Sequence, residues 1–228
     1  MDSVAFKVVD FAIQLAAILF SISFHESAHA WSAWKFGDPT AKDLGRISLN
    51  PLRHIDPFGS ILLPIILYVF SGLIFGAAKP TPVDLRNTKN PRLANFVVSA
   101  AGPVSNVILA IAAVILLRVI RAGAPEAFVD LLYALQGSRF AGGALVPLAF
   151  VLYVLARINV VLAVFNLIPI PPLDGSGVAV SVIGPPAVPL FRALAPFGFL
   201  VLILLMSTSI LGRIFAPFDL ALRNVIFG

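Results

Sequence analysis

The sequence predicts an all-α polytopic membrane protein: about four to six transmembrane helices, with a small membrane-associated strand or loop region between the first two core spans. Three observations carry this. Of the 228 residues, 59% are hydrophobic and 12% charged, roughly half the charged fraction of ordinary soluble domains. Apolar runs of about 20 residues, long enough to cross a bilayer, recur along the chain. Between the first two lies a stretch dense in Gly, Pro, Asn and Asp, which are turn residues.

The first span is expected at 8–34. Lys7 followed by an apolar run and "AHA" at 28–30 has the outline of a secretory signal and its cleavage site. The run outlasts a signal and further spans follow, so residues 1–34 are expected to be retained. Trp31 and Trp34, at its end, suit anchorage at the membrane interface. Next, "GDPTAKDLGRISLNPLRHIDPFG" (37–59) is turn-rich and suits short extended pieces or hairpins.

The run 61–78 is shorter and is interrupted by Pro64, Gly72 and Gly76. Either it spans or it re-enters, since irregular backbone at membrane depth must be covered by protein or face water. Basic residues flank it on both sides: Lys35, Lys42, Arg46 and Arg53 before, Lys79, Arg86, Lys89 and Arg92 after. Re-entry keeps both blocks on the cytoplasmic side, as the positive-inside rule prefers. Prolines exclude a regular helix from "GAAKPTPVDLRNTKNP" (76–91). Further spans are expected at 93–119, 144–168 and 188–212, with 120–143 as a loop too short for a separate domain. One domain over 1–228 is the resulting expectation.

Composition narrows the chemistry. Cysteine is absent, which removes disulfides, iron–sulfur clusters, thiolate zinc sites and a cysteine nucleophile. The net charge of +5 comes from basic residues scattered among short loops. That is the positive-inside pattern rather than a nucleic-acid surface.

Ionisable groups inside a span are costly and point to function. The first span contains "HESAH" (25–29). His25 and His29, four apart, project from one helical face and can share a metal ion, with Glu26 beside them as a general base. Two histidines hydrogen-bonded to neighbouring helices would be the simpler account, but the apolar surroundings favour a metal. A catalytic zinc ordinarily has three protein ligands and one open position. The third is then His54 or a carboxylate. His54, in the charged "RHIDP", reads as a solvated loop residue. Asp174, in "NLIPIPPLDGSG" (166–177), follows an apolar run ending in prolines, although Pro-Leu-Asp-Gly is also good turn chemistry.

Together "HESAH" (25–29) and "NLIPIPPLDG" (166–175), with "AGPVSN" (101–106) between them, resemble the site-2 protease family of intramembrane zinc metalloproteases. The resemblance covers about residues 20–180. It implies that His25, His29 and Asp174 hold one Zn2+ per chain and that Glu26 activates water. It also implies that Asn166 sits near the scissile carbonyl and that Asn106 lines the same region. The form would be a compact one without a PDZ or CBS domain. Its substrates would be transmembrane proteins, cut within or near their spans during regulated intramembrane proteolysis. It would be a multi-pass protein of a prokaryotic plasma membrane, with the site nearer the cytoplasmic face. Extended pieces at 37–59 or 76–91 could pair with an unwound substrate by strand addition.

Two further classes compete. A proteolytically inactive metal-binding membrane protein would have no need of Glu26, and a metal transporter would need polar groups along several spans rather than at one level. "DGSG" (174–177) hints at a serine hydrolase, but the metal reading already uses both HESAH histidines. Arg157, mid-span in "VLARINVV", suits a structural ion pair, substrate contact or a polar cavity. Asn159 receives no role.

Overall fold

A computed structural model describes residues 3–71, 76–136 and 143–228. Among these, the chain is helical with irregular connections and no strand. The elements are α1 (Ser3–Lys35), α2 (Thr40–Asp43), α3 (Leu63–Ser71), α4 (Pro91–Gly123), α5 (Pro125–Leu135), α6 (Leu145–Asn166), α7 (Asp174–Ile183), α8 (Val188–Leu194), α9 (Gly198–Met206) and α10 (Ile210–Phe227).

Among the described residues, four helical runs are long and apolar enough to cross a membrane: Val4–Lys35, Pro91–Gly123, Leu145–Asn166 and Pro185–Leu205. The first three are α1, α4 and α6, and each packs against the other two. Small residues let them approach closely, as membrane helices require: Ala17, Ala113, Ala149 and Ala156 are all buried. The core around them is completed by Leu117, Leu131, Phe150 and Ile226, so α5 and α10 close one end of the bundle.

The fourth run differs from the expected 188–212. It consists of α8 and α9 joined by a 3-10 turn at Ala195–Phe197, where Pro196 cannot donate an amide to a regular helix. The connection 120–143, expected as loop, holds α5 in its described part; residues 137–142 lie outside the described residues.

The two ends of the run 61–78 meet. The Ala77 amide donates to Gly59 O at 2.9 Å, and Ser60 Oγ donates to Ala77 O at 2.7 Å. Its two ends therefore lie side by side; residues 72–75 lie outside the described residues. The strand-or-loop region is thus loop: from 76 to 84 the backbone follows no helix and joins no strand.

Two buried groups fasten this region. The Arg46 guanidinium, 5% exposed, donates to the carbonyls of Arg53, Lys79 and Pro80. Asp38, wholly buried, accepts from Thr40 N and Oγ1, from Asp84 N at 2.7 Å and from Asn87 Nδ2 at 2.9 Å. The first group ties 79–80 to the turn at 51–53, and the second ties the turn at 84–87 to the end of α1.

His54 departs from its expectation as a solvated loop residue. It is 1% exposed, with Nε2 at 2.7 Å from Ser48 O. The loop folds back over α1, where Ser27 Oγ also donates to Ser48 O, so the ring is enclosed despite its charged neighbours in sequence.

Candidate metal centre

Helical spacing puts His25 and His29 on the same side of α1, one turn apart, with ring centroids 4.6 Å apart. The outer nitrogen of each ring is engaged. His25 Nδ1 lies 2.6 Å from Asn106 Oδ1, and His29 Nδ1 lies 2.6 Å from Val98 O. Both partners are on α4. A carbonyl oxygen only accepts, so each Nδ1 carries the proton and each Nε2 is left with a lone pair.

Asp174 arrives from a distant part of the sequence. After α6 the chain makes a tight turn and α7 starts at Asp174. Gly175 is required there, since a Cβ would stand 2.3 Å from Leu167 O. Helix α7 is clamped to α4. Arg92 Nε donates to Ser181 O at 2.6 Å, Asn95 Nδ2 donates to Gly177 O at 2.9 Å, and a Cβ at Gly177 would meet Ser99 Oγ at 2.1 Å.

The result is three converging ligand atoms. His25 Nε2 and His29 Nε2 are 3.0 Å apart; Asp174 Oδ2 is 3.0 Å from the first and Oδ1 is 3.3 Å from the second. Both Nδ1 atoms are committed elsewhere, so in the neutral rings two Nε2 lone pairs face the Asp174 carboxylate. Asp174 Oδ2 is buried without a hydrogen-bond donor. Such an arrangement calls for a shared proton or a metal ion, and two imidazoles with one carboxylate are a zinc-type donor set. The space is provided by Gly102 on α4, where a Cβ would stand 2.4 Å from His29 Nε2 and 2.5 Å from His25 Nε2.

Glu26 and Asn166 line the same cavity, about 420 Å³ in volume, together with His25, His29 and Asp174. The Glu26 carboxylate accepts from the Thr81 amide at 2.9 Å, and its backbone oxygen accepts from Thr81 Oγ1 at 3.1 Å. The 76–84 segment thus docks on the glutamate. Asn166 Nδ2 donates to Leu162 O at 2.9 Å. Asn106 is not among the residues lining this cavity. It is wholly buried behind His25, and its oxygen is taken by that ring.

His54 stands outside the group His25–His29–Asp174. Arg157 Nε lies 3.6 Å from Asp219 Oδ1, and Asp219 also holds Arg223, so the mid-span arginine ties α6 to α10. Trp31 and Trp34 are exposed at the end of α1, with Lys35 Nζ over both rings. Sequence reasoning missed Thr81 and Gly102. A glycine inside a span, just before a proline, was the available signal for the second.

Comparison with known proteins gives a consistent picture. The family described as "Peptidase family M50" matches residues 13–205. Relatives carry the name "Putative zinc metalloprotease". YwhC of Bacillus subtilis is 38% identical over 209 residues, 92% of this chain and 86% of the relative. Rip2 of Mycolicibacterium smegmatis is 34% identical over 208 residues, 90% of this chain and 70% of the relative. Rip2 of Mycobacterium tuberculosis is 33% identical over 166 residues, 72% of this chain and 55% of the relative. No solved structure matches the chain.

Proposed function

The chain belongs to peptidase family M50, the site-2 proteases, and from that premise we propose that it is an intramembrane endopeptidase cutting membrane proteins within or near their transmembrane segments. It is a multi-pass membrane metallopeptidase whose cofactor is zinc. We read residues 1–228 as one protease domain.

The observation that carries the proposal is the position of the converging atoms. His25 lies ten residues before Lys35, the end of α1, or about 15 Å along the helix. That distance supports a site at membrane depth, where the peptide bonds on offer belong to other membrane segments. A bound helix must unwind locally before cleavage, which Gly, Pro or Asn in the substrate eases.

His25, His29 and Asp174 hold one zinc ion in this reading. Zinc held there would supply Lewis acidity, polarising a carbonyl and lowering the pKa of water towards ~7. Glu26 accepts a proton from the attacking water and returns it to the leaving nitrogen, a role worth ~10²–10⁴ in rate. The Thr81 amide holds that carboxylate in orientation. Asn166 keeps one amide hydrogen on Leu162 O and offers the second to the developing oxyanion. Segment 76–84, beside the cavity, offers backbone groups for strand addition. The setting is regulated intramembrane proteolysis at a prokaryotic plasma membrane, with the site nearer the cytoplasmic face, where the basic blocks around 61–78 gather.

The test is cleavage of a panel of single-span transmembrane peptides carrying Gly, Pro or Asn in the span, by the zinc-loaded protein in liposomes. Cleavage is expected to stop with a chelator, and in Glu26→Gln to fall ~10²–10⁴-fold while zinc stays bound. Undiminished cleavage by Glu26→Gln would remove the base assignment. Zinc carried across the vesicle wall without cleavage would make the chain a transporter.

A further inference from the structure

Behind His25, on the side away from the cavity, a line of polar side chains crosses three spans. Asn106, Asn159 and Ser21, on α4, α6 and α1, are each 0% exposed. Burying three uncharged polar groups in a membrane core is unfavourable unless their hydrogen bonds are satisfied. Here they are satisfied, and in one direction only.

The direction follows from the far end. Ser21 Oγ lies 2.7 Å from Ala17 O, a carbonyl that can only accept, so the hydroxyl donates there. Asn159 Nδ2 lies 2.8 Å from Ser21 Oγ and 2.8 Å from Leu155 O, two acceptors that fix which end of its amide carries the NH2. The Asn159 oxygen must then face Asn106, whose Nδ2 donates to it at 2.7 Å; Ser21 O stands 3.5 Å from the same nitrogen. With its NH2 committed, Asn106 can present only oxygen to His25 Nδ1, 2.6 Å away. His25 must therefore carry its proton on Nδ1 and leave Nε2 free as a ligand.

We propose that Asn159 is a positioning residue for the metal centre: it holds the Asn106 amide in the one orientation that keeps His25 in its ligand tautomer. It touches neither the cavity nor the ion. Without it, Asn106 is free to rotate its amide and offer NH2 to His25. That would favour the tautomer whose proton sits on Nε2, which leaves no lone pair facing the metal centre. The inference rests on the metallopeptidase reading, in which His25 is a ligand.

Zinc retention by the purified full chain in graded chelator tests it, with helix content and monodispersity measured alongside. Asn159→Leu is expected to weaken zinc binding by ~10–100-fold, the usual effect of losing an outer-shell partner of a metal histidine. Asn159→Ala removes the same bonds with less bulk and takes its place where Leu does not fold. Asn159→Ser, whose hydroxyl accepts from Asn106 and donates to Leu155 O, is expected to stay within about threefold of the parent. Because Asn159 acts through Asn106, adding Asn159→Leu to Asn106→Leu should give no further loss; a packing role would give additive losses. Folded Leu or Ala variants with the parent's chelator curve, or additivity in the double variant, would overturn the proposal. Asp174→Ala separates the two readings. If it keeps zinc as the parent does, the metal assignment fails; if it loses zinc while the Asn159 variants keep it, only the role of Asn159 fails.

Discussion

Gly102→Ala should abolish zinc binding without unfolding the protein. The added Cβ would stand 2.4 Å from His29 Nε2 and 2.5 Å from both Cε1 and Nε2 of His25. Ordinary contact distances are about 3.5 Å, so both rings would have to retreat by about 1 Å. Neither can do so freely, because each is pinned through Nδ1 at 2.6 Å to α4, the same helix that carries the new methyl. Overpacking of this kind costs roughly 1–3 kcal/mol, partly offset by the ~1 kcal/mol gain in helix propensity from Gly to Ala. The fold is therefore expected to survive while the ligand geometry does not. A displacement of about 1 Å is enough to lose ~10²-fold in function. The assay is zinc content per chain after gel filtration, with helix content as the fold control. Gly123→Ala, in the same helix with nothing within 4 Å of its Cβ, is expected to keep full zinc. Parent-like zinc in Gly102→Ala would show that the imidazoles are not confined as argued.

The other predictions concern the loop that covers the site. Burial raises the Asp38 carboxyl pKa, but the hydrogen bonds from Thr40, Asn87 and Asp84 together outweigh it and leave the pKa below the ordinary 3.8. A lowered folded-state value means the stabilisation is complete above about pH 4–5 and is lost as pH falls through the folded pKa. Thermal melts from pH 6 to 3 should show it, and Asp38→Asn should flatten that part of the profile. Asp38→Ala should destabilise by roughly 2–5 kcal/mol, since the Asp84 amide and Asn87 Nδ2 would be left without an acceptor. Arg46→Met unties Lys79 and Pro80 from the turn at 51–53. Faster hydrogen exchange over 77–84 is expected, together with slower peptide cleavage, because the Thr81 amide no longer steadies Glu26. Unchanged exchange there would mean that the bonds to Asp38, Gly59, Ser60 and Glu26 hold the segment without Arg46.

The parts of the molecule that were legible in the sequence share a property: their signal is local. Hydropathy over about 20 residues marked α1, α4 and α6, because a bilayer demands continuous apolar length wherever the helices pack. Helical spacing alone put His25, Glu26 and His29 on neighbouring positions of one turn. Prolines and glycines marked the irregular run at 76–84. His54 was misjudged for the opposite reason. Its charged neighbours in sequence gave no hint that the loop folds onto Ser27 and Ser48.

The sequence by itself thus determined the membrane-spanning class, the absence of cysteine and the shared helical face of His25 and His29, since each depends on composition or on spacing within a helix. The tertiary structure alone decided the rest. Asp174 comes within 3.0 Å of His25 across 149 positions of chain. Asn106 stands behind His25 with its oxygen on that ring, Thr81 reaches Glu26, and Ala77 pairs with Gly59. These relations join residues on different elements, and no periodicity along one element encodes which face another will cover.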